Sequence, residues 1–266
     1  MRIVCVIAIA LAISGPAVAQ GVAEGNAAAP ANAGPARPGS AQPAVAPRAE
    51  QLLHQAGAYL GSAGEFTFHA DITFDHVLPS GQKLEFFGTE DVALKRPDRL
   101  YVEWRGDLGD RQFWYDGKTV TLYDPALPFY AAAAAPSSID AMLEKVITQL
   151  GFSPPLSDFL ESDPTRSLQG KIQYGFDLGM TEVGGQQCHS LGFVQKDIDW
   201  QIWIGDGPQP VPCKIVITYK ADPSQPQFRA VFSEWDFAPR IDDTVFTADL
   251  PQGAQKIPFK AVASNR

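Results

Sequence analysis

Cysteine, methionine, histidine and basic residues are all scarce in this sequence. Three Cys, three Met and four His stand among 266 residues, and 21 Lys and Arg face 30 Asp and Glu, for a net charge of −9 at pH 7. An acidic balance excludes nucleic-acid binding through phosphates and electrostatic docking on anionic headgroups. Beyond residue 13 no stretch approaches the roughly 20 consecutive apolar residues of a membrane helix, so no span is expected. Catalytic signatures are missing as well: there is no Gly-x-Ser-x-Gly elbow, no His-Glu-x-x-His pair and no glycine-rich phosphate cradle. No enzyme, cofactor or metal is therefore expected.

What is present begins with an export signal. Met1 and Arg2 precede an apolar run, Ile3 to Ile13, too short to cross a bilayer; Gly15 and Pro16 break it, and Ala17-Val18-Ala19 precedes Gln20. This pattern is a secretory signal peptide over residues 1–19, cleaved after Ala19, and it implies an exported, soluble, periplasmic protein. Cys5 lies inside the run and no Cys follows its end, so lipidation of a mature N-terminal Cys is excluded. Residues 20–47 are Ala-, Pro- and Gly-rich without apolar periodicity, which predicts a disordered tether. A single domain is expected over 48–262.

Two cysteines follow the signal, Cys188 and Cys213. An even pair in an oxidising compartment reads as one disulfide; two buried thiols and a metal site are the alternatives, the last disfavoured because only His189 is near. If the strands around them are consecutive and antiparallel, a turn near Asp197 sets Cys188 opposite Asp206. The bridge then closes around the end of the middle strand, where Cys213 begins the third.

Leu52, Leu53, Ala56, Tyr59 and Leu60 recur at helical spacing. Strict alternation then predicts strands: Phe66, Phe68, Ala70, Ile72 and Phe74 against polar neighbours, followed by segments near 83–94, 99–105, 111–115, 119–123 and 129–130. Asp116-Gly117 is a hairpin turn, which explains Asp116-Gly117-Lys118 better than a charged site does. The period then changes. Ile139, Met142, Leu143, Val146, Ile147 and Leu150 form one helical stripe, with Ser137 as N-cap and Gly151 beyond its end. Short helical pieces follow at Pro154–Leu160 and after Asp163, then five more strands and a short one near Ile257. Helix, strands, helices and strands without βαβ alternation predict an α+β domain, and an antiparallel sheet of about eleven strands must curl or close.

The segments "RPDRLYVEW" and "WYDGKTVTLYDP" between Arg96 and Pro125, ahead of the helical insert, resemble the bacterial lipoprotein-carrier (LolA-like) superfamily. Within it, "DWQIWI" at Asp199–Ile204 and "FSEWDFAP" at Phe232–Pro239 look most like a family known as predicted periplasmic proteins of unknown function. The resemblance implies an open half-barrel: a strongly curved antiparallel sheet whose concave apolar face is covered by helices and, in carriers, holds acyl chains. The chain departs from the lipid-anchored acceptor branch and is too short for the second domain of the stress-sensing branch.

The candidate hydrophobic-ligand cavity is lined by Phe66, Phe68, Ile72, Phe74, Phe86 and Trp104 from strands and by Met142, Leu143, Val146 and Ile147 from the helix. Each could equally be ordinary core. His69, Asp71 and Asp75 share a strand face and could site a metal, although polar groups are the rule on a wet face. The expected function is a carrier or binding protein for a lipid or acyl chain, without chemistry. The alternative is an envelope interaction or sensory domain, core filled, with a protein partner.

Overall fold

The computed structural model describes residues 44–259 except Ser153 and Gly170. The expected signal peptide, and the tether up to residue 43, lie outside the described residues. Helix α1 spans Pro47–Ser62 and begins with Pro at a position where a backbone N–H would have no partner anyway. Ala44 to Ala46, expected in the tether, instead pair with Gly175: Ala46 N–H donates to Gly175 O at 2.9 Å and Gly175 N–H to Ala44 O at 3.0 Å.

Six strands follow: β1 (Glu65–Val77), β2 (Lys83–Lys95), β3 (Arg99–Gly106), β4 (Arg111–Tyr115), β5 (Thr119–Tyr123) and β6 (Phe129–Ala134). A helical cover comes next, with α2 (Ile139–Lys145), a π-helical turn (Val146–Leu150), a 3-10 turn (Ser157–Phe159) and α3 (Pro164–Gln169). Then come β7 (Tyr174–Val183), β8 (Gln186–Val194), β9 (Ile198–Gly205), β10 (Pro212–Tyr219) and β11 (Gln227–Asp236), a 3-10 turn (Asp243–Phe246) and β12 (Gln255–Ile257). Among the described residues these form one twelve-stranded sheet in the order β12-β6-β5-β4-β3-β2-β1-β11-β10-β9-β8-β7. The fold is α+β as expected. The twelfth strand is the short one expected near Ile257, and it pairs with β6 in parallel, a departure from the expected antiparallel sheet.

The turn reading of Asp116-Gly117 holds. The Asp116 carboxylate accepts the N–H groups of Lys118 and Thr119 at 2.9 and 2.7 Å, and Gly117 supplies φ 87°. The helix cap falls one residue later than expected: Ser138 Oγ, not Ser137, accepts Ala141 N–H. Gly151 adopts the left-handed conformation at φ 71° and ends the stripe. Before it the helix loosens into the π turn, whose hydrogen bonds skip five residues rather than four. The stripe therefore drifts, and Ile147 is half-buried while Val146 is wholly buried.

One face of the sheet carries the core. Phe66, Phe68, Ala70 and Ile72 on β1, Leu100 and Val102 on β3, Ile202 and Ile204 on β9, and Phe228 and Ala230 on β11 join one apolar cluster with Leu53 and Leu60 of α1, Met142 and Leu143 of α2, and Phe159, Leu160 and Leu168. Alternation along β11 would have sent Trp235 outward. A register shift against β1, with Glu234 at φ 55°, turns it inward instead, onto Phe68 at 4.6 Å between ring centres.

The cover is tied down by polar contacts. The half-buried Arg96 guanidinium donates to Leu60 O (3.4 Å) and, through Nε, to Ala63 O (3.2 Å) at the end of α1. It also donates to Leu160 O (3.1 Å) and Glu161 O (2.9 Å) in the cover. A cation at a helix C-terminus complements its unpaired carbonyls and dipole, so one side chain clamps α1 to the cover and both to the start of β3. Asp140 adds a second tie, accepting Ser162 N–H at 2.8 Å and the Ser162 hydroxyl. Lys145 Nζ donates to Ala134 O at 2.7 Å.

Cys188 and Cys213 are joined by a disulfide, with Cα atoms 7.0 Å apart. Cys188 faces Gly205, one residue before the expected Asp206, and Cys213 sits where the register against β9 shifts. The register shift between Pro212 and Lys214 lets the bridge reach across the end of the middle strand. On the chain-entropy model, closing this loop stabilises the domain by about 3–4 kcal/mol. Alkylation of the exported protein under non-reducing conditions should leave both cysteines unmodified by mass; two alkylated thiols would contradict the bridge. Replacing Arg96 by Leu should destabilise the domain by about 2–3 kcal/mol and raise amide exchange mainly over residues 139–169. Unchanged exchange there would show that Arg96 does not hold the cover.

Candidate functional site

The ten residues expected to line a cavity fall on the covered face or on the cover itself. Phe66, Phe68, Ile72, Phe74, Trp104, Met142, Leu143 and Val146 are buried, and Phe86 is half-buried against them. Phe74 packs on Phe86 at 5.9 Å and on Trp104 at 6.3 Å, and Phe66 on Phe68 at 6.3 Å. From the cover, Phe159 meets Phe232 edge-on at 5.4 Å and Phe152 meets Phe113 at 5.6 Å. Exposure is 0 % at Phe66, Ile72, Met142 and Val146, so no water-sized space adjoins these side chains. At these residues the face is apolar and covered; an opening of ≈ 250 Å³ lies at its margin, between Leu53 of α1, Gln169 and Ile172 of the cover and Phe193 of β8. A guest would have to displace the cover.

The other face is wetter. His69 Nδ1 lies 2.6 Å from Asp91, and its Nε2 lies 3.6 Å from Asp71; Arg105 bonds Asp91 at 3.1 Å and Glu103 at 2.8 Å. The hydrogen bond to Asp91 is the main reason the His69 pKa rises above its ordinary value. Asp75 is engaged by Lys83 at 3.2 Å and by Gln227 N–H at 2.9 Å. These polar groups form a network of ion pairs, and no cluster among the described residues could hold a metal ion. Phe87, next to the inward Phe86, is 45 % exposed on this side, whereas Trp114, next to the inward Phe113, is buried there against Tyr101. Tyr174, Phe176, Leu178 and Met180 of the edge strand β7 are also exposed. Phe176 and Leu178 flank Gly192 in a shallow groove of ≈ 360 Å³.

The residue that pattern reading passes over is Glu90. It sits on β2 between Ala70 of β1 and Trp104 of β3, on the covered face, with 0 % exposure. Neither carboxyl oxygen has a hydrogen-bond partner among the described residues. A neutral carboxyl buried this way costs about 1–3 kcal/mol, and an ionised one far more. Burial first, and Asp91 second, push its pKa well above the ordinary glutamate value. The signal was in the sequence: alternation through Val92 and Leu94 places Glu90 inward, an acid in an apolar register.

Because its folded-state pKa is raised, Glu90 favours folding most below the pKa of the unfolded chain. That contribution is lost as pH climbs from about 4.5 toward the folded value. Over that window the unfolding free energy of the wild type should fall relative to Glu90→Gln by up to about 1.4 kcal/mol per pH unit. Parallel pH–stability curves for the two proteins would place the carboxyl outside the core.

Among curated proteins no relative matches the chain. Solved structures of similar arrangement include LprF from Mycobacterium bovis, with 15% identity over 79% of this chain and 99% of that one and a TM-score of 0.46. A LolA superfamily protein from Nitrosomonas europaea gives 12% identity over 75% and 97%, TM-score 0.38. The Pseudomonas aeruginosa MucA/MucB complex gives 13% over 79% and 63%, TM-score 0.40. At these scores no ligand or partner is transferred. The family model for predicted periplasmic proteins, DUF2092, matches residues 49–260, nearly the whole described chain, and the protein belongs to that family.

Proposed function

We propose that the protein is an exported, periplasmic carrier or binding protein for a hydrophobic ligand, a lipid or a lipoprotein acyl chain, and that it performs no chemistry. The carrying observation is the construction of the cover. Beside α1, the apolar face is closed by pieces of only seven, five, three and six residues. Such short helices are marginal by themselves, and segments of this kind open at lower free energy than the strands beneath them. A long acyl chain replaces the buried apolar area that the cover gives up, at roughly 25 cal/mol per Å². Met142 at the centre of the cover adapts its shape to either neighbour. Among the described residues no helix is long and apolar enough to cross a membrane.

The alternative reading, an envelope interaction domain whose filled core supports a protein partner, has its own observation: the exposed apolar row on β7, an edge strand. Lipid extraction and native mass spectrometry of the exported protein separate the two. Co-purifying lipid, and uptake of a fluorescent acyl probe that is faster in Arg96→Leu than in wild type, are expected of the carrier. A clean apo mass with no probe uptake by either protein would favour the interaction domain. A folded Val146→Asp protein should lose probe binding, and undiminished binding would move the site off the covered face.

A further inference from the structure

The carrier reading leaves the chemistry of the guest open, and the covered face narrows it. Among the described residues the buried charged side chains are two acids, Glu90 and Asp158, and no Lys, Arg or His is buried. Glu90 lies in the middle of the sheet, with six strands of the order to one side of β2 and five to the other being β1 to β7 and β3 to β12. Its floor is made of small residues. Ala70 stands across from it on β1, and Gly88 lies two positions before it on the same face. The Trp104 indole occupies the space above Gly88, 2.2 Å from where a Cβ would stand. A carboxyl without a hydrogen-bond partner and the indole of its cross-strand neighbour, packed over Gly88, are thus brought together at one point of an otherwise apolar surface.

We propose that Glu90 and Trp104 form a head-group subsite for a single-chain cationic amphiphile, the ammonium against the carboxylate and the indole, the tail along the apolar face. This rests on the carrier reading above. A cation finds here both a counter-charge and an aromatic face, each worth more away from water. A fatty carboxylate or a phosphate would meet buried acids with no buried base to offset its charge. A neutral hydroxyl would gain a single hydrogen bond and no charge pairing. Burial raises the Glu90 pKa and so favours its neutral form in the closed protein, whereas an ammonium beside it favours the carboxylate, so pairing shifts the carboxyl toward proton release.

Titration calorimetry of the exported full-length protein with dodecylammonium, dodecanol and dodecanoate, in buffers of different ionisation enthalpy, tests this. Wild type should bind dodecylammonium at least about tenfold tighter than the other two, with net proton release. Glu90→Gln, its fold checked by near-ultraviolet circular dichroism, should keep its dodecanol affinity, lose the preference for the amine and release no proton. Glu90→Asp should retain part of the preference. Equal affinity for all three heads, a preference for dodecanoate, or an amine preference that persists in Glu90→Gln would overturn the head-group subsite while leaving the carrier reading intact. Failure of all three to bind would remove both.

Discussion

Everything in this molecule depends on burying one face of a wide sheet. Alternation along β1, β3, β9, β10 and β11 sends every second side chain to the same side, and the resulting surface is too large for the strands to hide from water themselves. Among the described residues no second sheet is stacked on it. Closure falls to α1, which is long and begins with a well-placed proline, and to a series of short turns that could not exist apart from the surface they cover. The hydrophobic effect thus holds the cover in place and orders it at the same time, while Arg96 and Asp140 fix where it sits.

That division has a consequence for how the protein can move. The strands are cross-linked by a continuous ladder and, at one end, by the Cys188–Cys213 bridge. The cover is held by side-chain packing and a few hydrogen bonds to backbone carbonyls. Opening the cover exposes apolar surface, and an apolar guest offsets that exposure; the ladder need not break. Glu90 lies on the sheet and not on the cover, so on the proposed opening its environment would change with the cover and the guest while its own strand stays paired.

Much of this was legible in the residues. Period-two alternation located eleven strands, because a sheet with one wet face prints its pleat directly into the sequence. The switch to helical spacing after residue 138 marked the cover. The misses have local causes. The π turn after Lys145 widens the helix by one residue per turn, which moves Ile147 off the stripe. The bulge at Glu234 reverses which residues face inward, and it shows in the sequence only as a shift from Phe232 to Trp235 and Phe237. Cys188 pairs one residue earlier than expected because the turn before β9 is tighter than a symmetric estimate makes it. The short strand expected near Ile257 is present as β12, three residues long, but its parallel pairing with β6 is tertiary and no local pattern encodes it. Glu90 was missed for a different reason: charged residues are ordinarily assigned to the wet face, and this one breaks that rule on an otherwise regular strand.

The central claim, that the covered face is the binding surface, has a natural reporter. Among the three methionines, Met142 is fully buried under the cover and Met180 is exposed on the β7 edge, while Met1 belongs to the expected signal peptide. With 13C-methyl methionine in the exported protein, addition of an acyl-chain ligand should shift the Met142 methyl resonance and give contacts between that methyl and the chain, leaving Met180 in place. A shift confined to Met180, with Met142 unmoved at saturation, would put the ligand on the outer edge and contradict the account.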